Sequence, residues 1–139
     1  MIRRDFIKNS CLLCFSATAV GVMQLVQGCS PAIVYKAVAA DNKVMVPLTV
    51  FQEKEAAIIR VKSESYDIAV IRRDALKYDA FEMRCTHADN ELRYSGSNFE
   101  CLLHGSIFDK TGRVTKGPAE KNLTAYLTEV SGDMLIIKL

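Results

Sequence analysis

The sequence predicts an all-β fold of small antiparallel sheets preceded by a hydrophobic N-terminal leader, and three observations predict it. From Lys43 onward the chain consists of short runs rich in Val, Ile, Tyr and Phe. Charged or small residues cut each run off, as at Glu53-Lys54-Glu55, Ser63-Glu64-Ser65 and Ser95-Gly96-Ser97, which is the pattern of strands and turns. No ten-residue stretch of helical period follows residue 28. A chain of 139 residues holds one such domain.

Residues 1–28 are set apart by composition. Arg3, Arg4 and Lys8 stand against Asp5, and an uncharged run from Asn9 to Gly28 follows, the build of a targeting segment rather than a piece of the fold. Arg3-Arg4-Asp5-Phe6-Ile7-Lys8 is similar to the twin-arginine export signal of bacteria, an address read by a receptor. Val26-Gln27-Gly28-Cys29 resembles a lipobox, in which cleavage before Cys29 leaves a thiol for lipidation. The rival reading is an uncleaved anchor, since about twenty apolar residues cross a bilayer. Both readings put the domain on the periplasmic or extracytoplasmic side of a bacterial cell membrane, held by lipid or by the N-terminal anchor. Cys11 and Cys14 read as small apolar residues of the leader. Residues 29–42 read as a tether without clear period.

The domain proper is expected over residues 43–139. Strands are predicted at 44–51, 56–61, 68–72 and 76–83, the last with one face buried because Tyr78 and Ala80 alternate with Asp79 and Phe81. Residues 91–94 and 98–100 form a hairpin across Ser95-Gly96-Ser97. Residues 107–109 and 113–115 form another across Thr111-Gly112, and 124–130 with 134–139 a third across Ser131-Gly132.

The chemistry is concentrated in one stretch. Cys85-Thr86-His87 is followed after thirteen residues by Cys101-Leu102-Leu103-His104, and these two histidines are the only ones in the chain. Two thiolates and two imidazoles on separate loops are a donor set for zinc or an iron–sulfur unit. At these residues the chain resembles the Rieske family, whose pattern is Cys-x-His, a spacer, then Cys-x-x-His. The resemblance implies that Cys85, His87, Cys101 and His104 hold one [2Fe-2S] cluster, two cysteines on one iron and two histidines on the other, with both ligand loops at one tip of the sheets. It continues through Ser106–Gly112 and through Gly117-Pro118-Ala119, which looks like a proline loop covering the cluster. The thirteen-residue spacer is short for the family, so the lobe between the loops should be trimmed.

The same resemblance implies an intermediate potential. Imidazole ligation raises such clusters from roughly −400 mV to about −150 to +300 mV. Ser106 matches the serine that donates a hydrogen bond to the cluster in high-potential members. Phe108 stands where they carry a tyrosine, and Asn90 and Leu103 stand where they carry a loop-bridging cystine. Thr86, Leu102 and Leu103 are expected to screen the cluster from water.

Function follows by exclusion as well as by motif. The leader carries three basic and one acidic residue of the chain's 18 and 16, so the remainder is neutral and offers no basic face for nucleic acid. A Rieske oxygenase needs a further iron held by histidines, and none is spare. The chain is therefore read as no enzyme on its own. The resemblance implies a single-electron carrier or the electron-transfer component of a respiratory oxidoreductase, with redox partners such as a cytochrome, a quinol-oxidising complex or an exported oxidoreductase. The alternative is a structural zinc module or non-redox interaction domain with the same four ligands, in which the glycine, proline and Gly-Ser features have no purpose.

Overall fold

The structure is a computed structural model and describes residues 31–139. The export residues Arg3 and Arg4, the lipidation candidate Cys29 and the rest of the leader lie outside the described residues. Apart from a 3-10 turn at Leu48–Phe51, the regular structure there is β, in two sheets.

The larger sheet is built around β4 (Ala56–Val61), β5 (Ile68–Arg72) and β6 (Tyr78–Glu82), paired antiparallel in that order. Their Val, Ile and Ala content suits burial on both faces, and both are buried. Ala57, Ile59, Val61, Ile68, Val70, Tyr78 and Ala80 face one core, which β3 (Lys43–Pro47) and β12 (Met134–Lys138) complete with Val44, Val46, Leu135 and Ile137. Alternate residues Ala56, Ala69, Ile71 and Phe81 face a second core, joined beyond the end of β6 by Met83 and Cys85. The expectation of a single buried face for the 76–83 strand is thus corrected: successive side chains of a strand point to opposite faces, and this strand serves two cores. Beyond β6, the strand β11 (Ala125–Ser131) pairs with β6 and then with β12, which carries the sheet to β3.

Two further strands lie within the expected tether. β1 (Ile33–Ala37) pairs parallel with β4, and β2 (Ala39–Ala40) forms a hairpin with β3. Asp41 and Asn42, at φ 51° and 57°, are the two-residue turn of that hairpin, where both central residues must be left-handed. Residues 33–40 are therefore part of the fold. The parallel pair also departs from purely antiparallel sheets.

The smaller sheet has the order β10-β9-β8-β7, all antiparallel: β7 (Arg93–Tyr94), β8 (Asn98–Glu100), β9 (Ile107–Asp109) and β10 (Val114–Lys116). Phe99 and Phe108 are cross-strand partners, fully buried, and Phe81 meets Phe99 edge-on at 5.9 Å. Arg93 opposite Glu100 marks the end of the sheet from which both cysteine loops leave.

Candidate metal centre

The two loops at that end share one construction. In the first, the Cys85 N–H donates to the Asn90 carbonyl at 2.7 Å and the Asp89 N–H to the Cys85 carbonyl at 2.9 Å. In the second, the Cys101 N–H donates to Ser106 at 2.9 Å and the Gly105 N–H to Cys101 at 2.8 Å. The fifth residue of each loop is left-handed, Asp89 at φ 55° and Gly105 at φ 78°, and this reverses the chain. Six-residue loops closed in this way turn their first residue inward and leave the middle outside. Cys85 and Cys101 are 0% and 1% exposed, whereas His87 and His104 are exposed.

The four donors come together as two pairs. The imidazole rings of His87 and His104 lie 4.9 Å apart at 90°. The thiols of Cys85 and Cys101 are free, with no disulfide between them, and within hydrogen-bonding reach. Burial opposes ionisation of Cys101, but the backbone N–H groups of His104 and Leu103, with the Cys85 thiol, bring its pKa below the ordinary thiol value. The thiolate is the form that binds metal. A structural zinc needs four donors around one centre, while a binuclear cluster takes two and two. The donor set fits the latter.

Ser106 is fully buried, and its Oγ accepts the Ala119 N–H at 3.0 Å. Its own proton remains free to be donated elsewhere. Ala119 follows Gly117-Pro118, so this contact fastens the second loop to the proline segment, whose Gly117–Pro118 bond is cis. The first loop is fastened to the same segment, because Thr86 Oγ1 donates to the Lys121 carbonyl at 2.6 Å. Phe108 packs in the core that also holds both thiols. Leu102 and Leu103, expected to screen the cluster, are 72% and 64% exposed and place apolar surface beside the histidines.

Sequence reasoning missed Tyr66, Arg84 and Asp89, which brace the first loop. The Tyr66 hydroxyl donates to the Asp89 carbonyl at 2.5 Å, and Arg84 bridges Glu82 and Asp89. One signal was available: aligned by their cysteines, the two loops put Asp89 opposite Gly105.

The family model for the Rieske [2Fe-2S] domain matches residues 37–127. The chain belongs to the Rieske family. Its cofactor is accordingly one [2Fe-2S] cluster. The cytochrome b6-f complex iron-sulfur subunit of Nostoc punctiforme is 32% identical over 79 residues, which cover 55% of this chain and 44% of that one. The chain thus spans under half the length of this curated relative. Among solved structures, a plasma membrane Rieske protein from Synechocystis aligns with TM-score 0.50 and 24% identity, over 72% of this chain and 89% of that one. A chain of a hyperthermophilic respiratory Complex III aligns with TM-score 0.53 and 18% identity, over 96% of this chain and 99% of that one. These two likenesses concern the fold, and they agree with the nearly all-β Rieske architecture.

Proposed function

We propose that this chain is a one-electron carrier, acting as an exported, membrane-tethered protein or as the electron-transfer subunit of a quinol-oxidising respiratory complex, with Cys85, His87, Cys101 and His104 as ligands of its cluster. One observation carries the reading: two fastened loops of a Rieske fold each carry a buried thiol and an exposed imidazole, and the two imidazole rings lie 4.9 Å apart. The cluster supplies a site that accepts and releases one electron. The protein supplies the rest, burying the sulfur side against water and leaving the histidine side open to a partner. Exposed Leu102 and Leu103 beside His104 offer that partner an apolar contact. The family names of the relatives, subunits of cytochrome complexes, support a partner of that kind.

Purified protein should contain about two iron atoms and two acid-labile sulfides per chain, and Cys101→Ser should remove both. A single zinc with no iron would end the reading. Recovery of the protein from solubilised membranes with a cytochrome, or without one, separates subunit from free carrier.

Tethering rests on the leader. Changing Arg3 and Arg4 to lysine should leave folded protein in the cytoplasm, because a receptor reads the pair and not its charge. Cys29→Ala should abolish lipid labelling. A Cys29→Ala protein as membrane-bound and as long as wild type would favour the uncleaved anchor.

A further inference from the structure

The two ligand loops are alike in hydrogen bonding but not in what keeps them in place. The second turns at Gly105, which takes its left-handed conformation without a steric penalty. The first turns at Asp89, which carries a Cβ and adopts the same conformation at a cost. Such a residue persists only where its surroundings hold it. Two side chains do so here, drawn from separate places in the chain. Tyr66, in the turn between β4 and β5, donates its hydroxyl proton to the Asp89 carbonyl at 2.5 Å. Arg84, just beyond β6, donates from Nη1 to Asp89 Oδ1 at 3.1 Å and from Nε to Glu82 Oε2 at 2.9 Å. Its guanidinium lies 5.8 Å from the centre of the Tyr66 ring, at the range of a cation–π contact.

The weights of these contacts differ. Asp89 is 71% exposed at its side chain, and an exposed ion pair contributes little. Glu82 is 17% exposed, so Arg84 is oriented mainly by Glu82 and then carries both the Tyr66 ring and the Asp89 carboxylate. The Tyr66 bond to the backbone of Asp89 acts on the loop itself. Cys85 and Cys101 are both free, so no disulfide joins the described loops.

We propose that Tyr66, Arg84 and Asp89 form a non-covalent clamp that positions the first ligand loop and, through it, the exposed His87. They are positioning residues and touch no cluster atom. The clamp rests on the reading of Cys85 and His87 as ligands. With it loosened, His87 samples more orientations, and the histidine side of the cluster opens more often to water and chelators.

The test uses full-length protein purified with its cluster. Tyr66→Phe removes the hydroxyl and keeps the ring beneath Arg84. Asp89→Ala removes the carboxylate and the tolerance of left-handed geometry, and Asp89→Asn, which retains both acceptor and tolerance, is the conservative control. Bleaching of cluster absorbance by excess chelator should become about three- to tenfold faster in Tyr66→Phe and Asp89→Ala, on the scale of one lost hydrogen bond, and the spread of histidine nitrogen couplings in the reduced-state resonance spectrum should widen. Asp89→Asn should stay close to wild type. Wild-type bleaching and spectra in Tyr66→Phe and Asp89→Ala at full iron content would overturn the clamp alone. A lower thermal midpoint accompanied by those wild-type signals would also overturn it. Absence of iron from the wild-type protein would instead overturn the ligand reading beneath it.

Discussion

If Cys85, His87, Cys101 and His104 hold the cluster as proposed, the Ser106 hydroxyl is the single group with most leverage on the electron. Its oxygen already accepts a proton from Ala119, so its own proton is the one left for a cluster sulfur. Such a donor stabilises the reduced, more negative state more than the oxidised one. Hydrogen bonds to charged groups are typically worth about 1.5 to 3 kcal/mol, and about 1.4 kcal/mol corresponds to 59 mV for one electron. Only the difference between redox states counts, so several tens of millivolts, up to about 100, is the scale. Ser106→Ala should lower the potential by that order, and Phe108→Tyr, which adds a hydroxyl in the core shared with both thiols, should raise it. Redox titration of intact clusters checks both, and an unchanged potential in Ser106→Ala would reduce the serine to a tie for Ala119. Cys85, His87, Cys101, His104 and Ser106 could be picked out in the sequence as candidates because their spacing is local and their chemistry specific, and the structure puts them on two loops built alike. Tyr66 could not be picked out. It meets Asp89 across 23 residues, and a tyrosine in a polar turn gives no sign of the carbonyl it will find.

Strands carry their own evidence in the sequence, and the bounds of β4, β5, β8 and β9 agree with the pattern of Val, Ile and Phe between turn residues. What the pattern did not reveal was how many cores a strand serves, because Phe81 beside Asp79 looks like half a face until the second sheet is laid over it. The β9–β10 turn shows how closely that second layer approaches. Asp109 Oδ1 accepts from the Thr111 N–H at 2.8 Å, the Thr111 hydroxyl at 2.6 Å and the Arg113 N–H at 3.1 Å. The Thr111 hydroxyl leads in holding the Asp109 carboxyl below the usual carboxylate range, against the opposing effect of burial. A depressed carboxylate contributes stability above its unfolded pKa of about 4 and loses it as pH falls through the lower folded value. Gly112 follows at φ 78°, and a Cβ there would lie 2.6 Å from Phe81 Cε1. Gly112→Ala therefore meets two penalties, a left-handed backbone of roughly 1 to 2 kcal/mol and overpacking of roughly 1 to 3 kcal/mol. The variant should lose about 2 to 5 kcal/mol in denaturant titration; a loss below about 1 kcal/mol would mean that Phe81 yields easily.

At the scale of the whole molecule, the residues before Lys43 decide where the folded body begins. Their sequence has no visible period because Val34 and Val38, apolar residues, are the exposed ones, 55% and 81%, while Ala37 and Ala39 are half-buried and too small to mark a face. The structure nevertheless gives them three attachments. Ile33 to Ala37 pair residue by residue with Ala57 to Val61. Ala32 is buried in the core that holds the thiols, while Tyr35, Ala37 and Ala39 pack against the other core. Pro31 Cβ lies 3.2 Å from where a Cβ on Gly96 would stand, at the end of the small sheet away from the ligand loops. A tether could be cut without cost, but an edge strand cannot. Several half-buried side chains and a row of strand hydrogen bonds are together worth on the order of 3 to 5 kcal/mol, against a total stability of roughly 5 to 15 kcal/mol for a domain of this size. A chain begun at Lys43 should therefore lose about a fifth or more of its stability relative to one begun at Pro31, and it should shed its cluster sooner on warming, because Ala32 packs in the same core as Cys85 and Cys101. Equal denaturant midpoints for the two chains would return residues 31–42 to the status of a tether and leave the β1–β4 pairing without energetic weight.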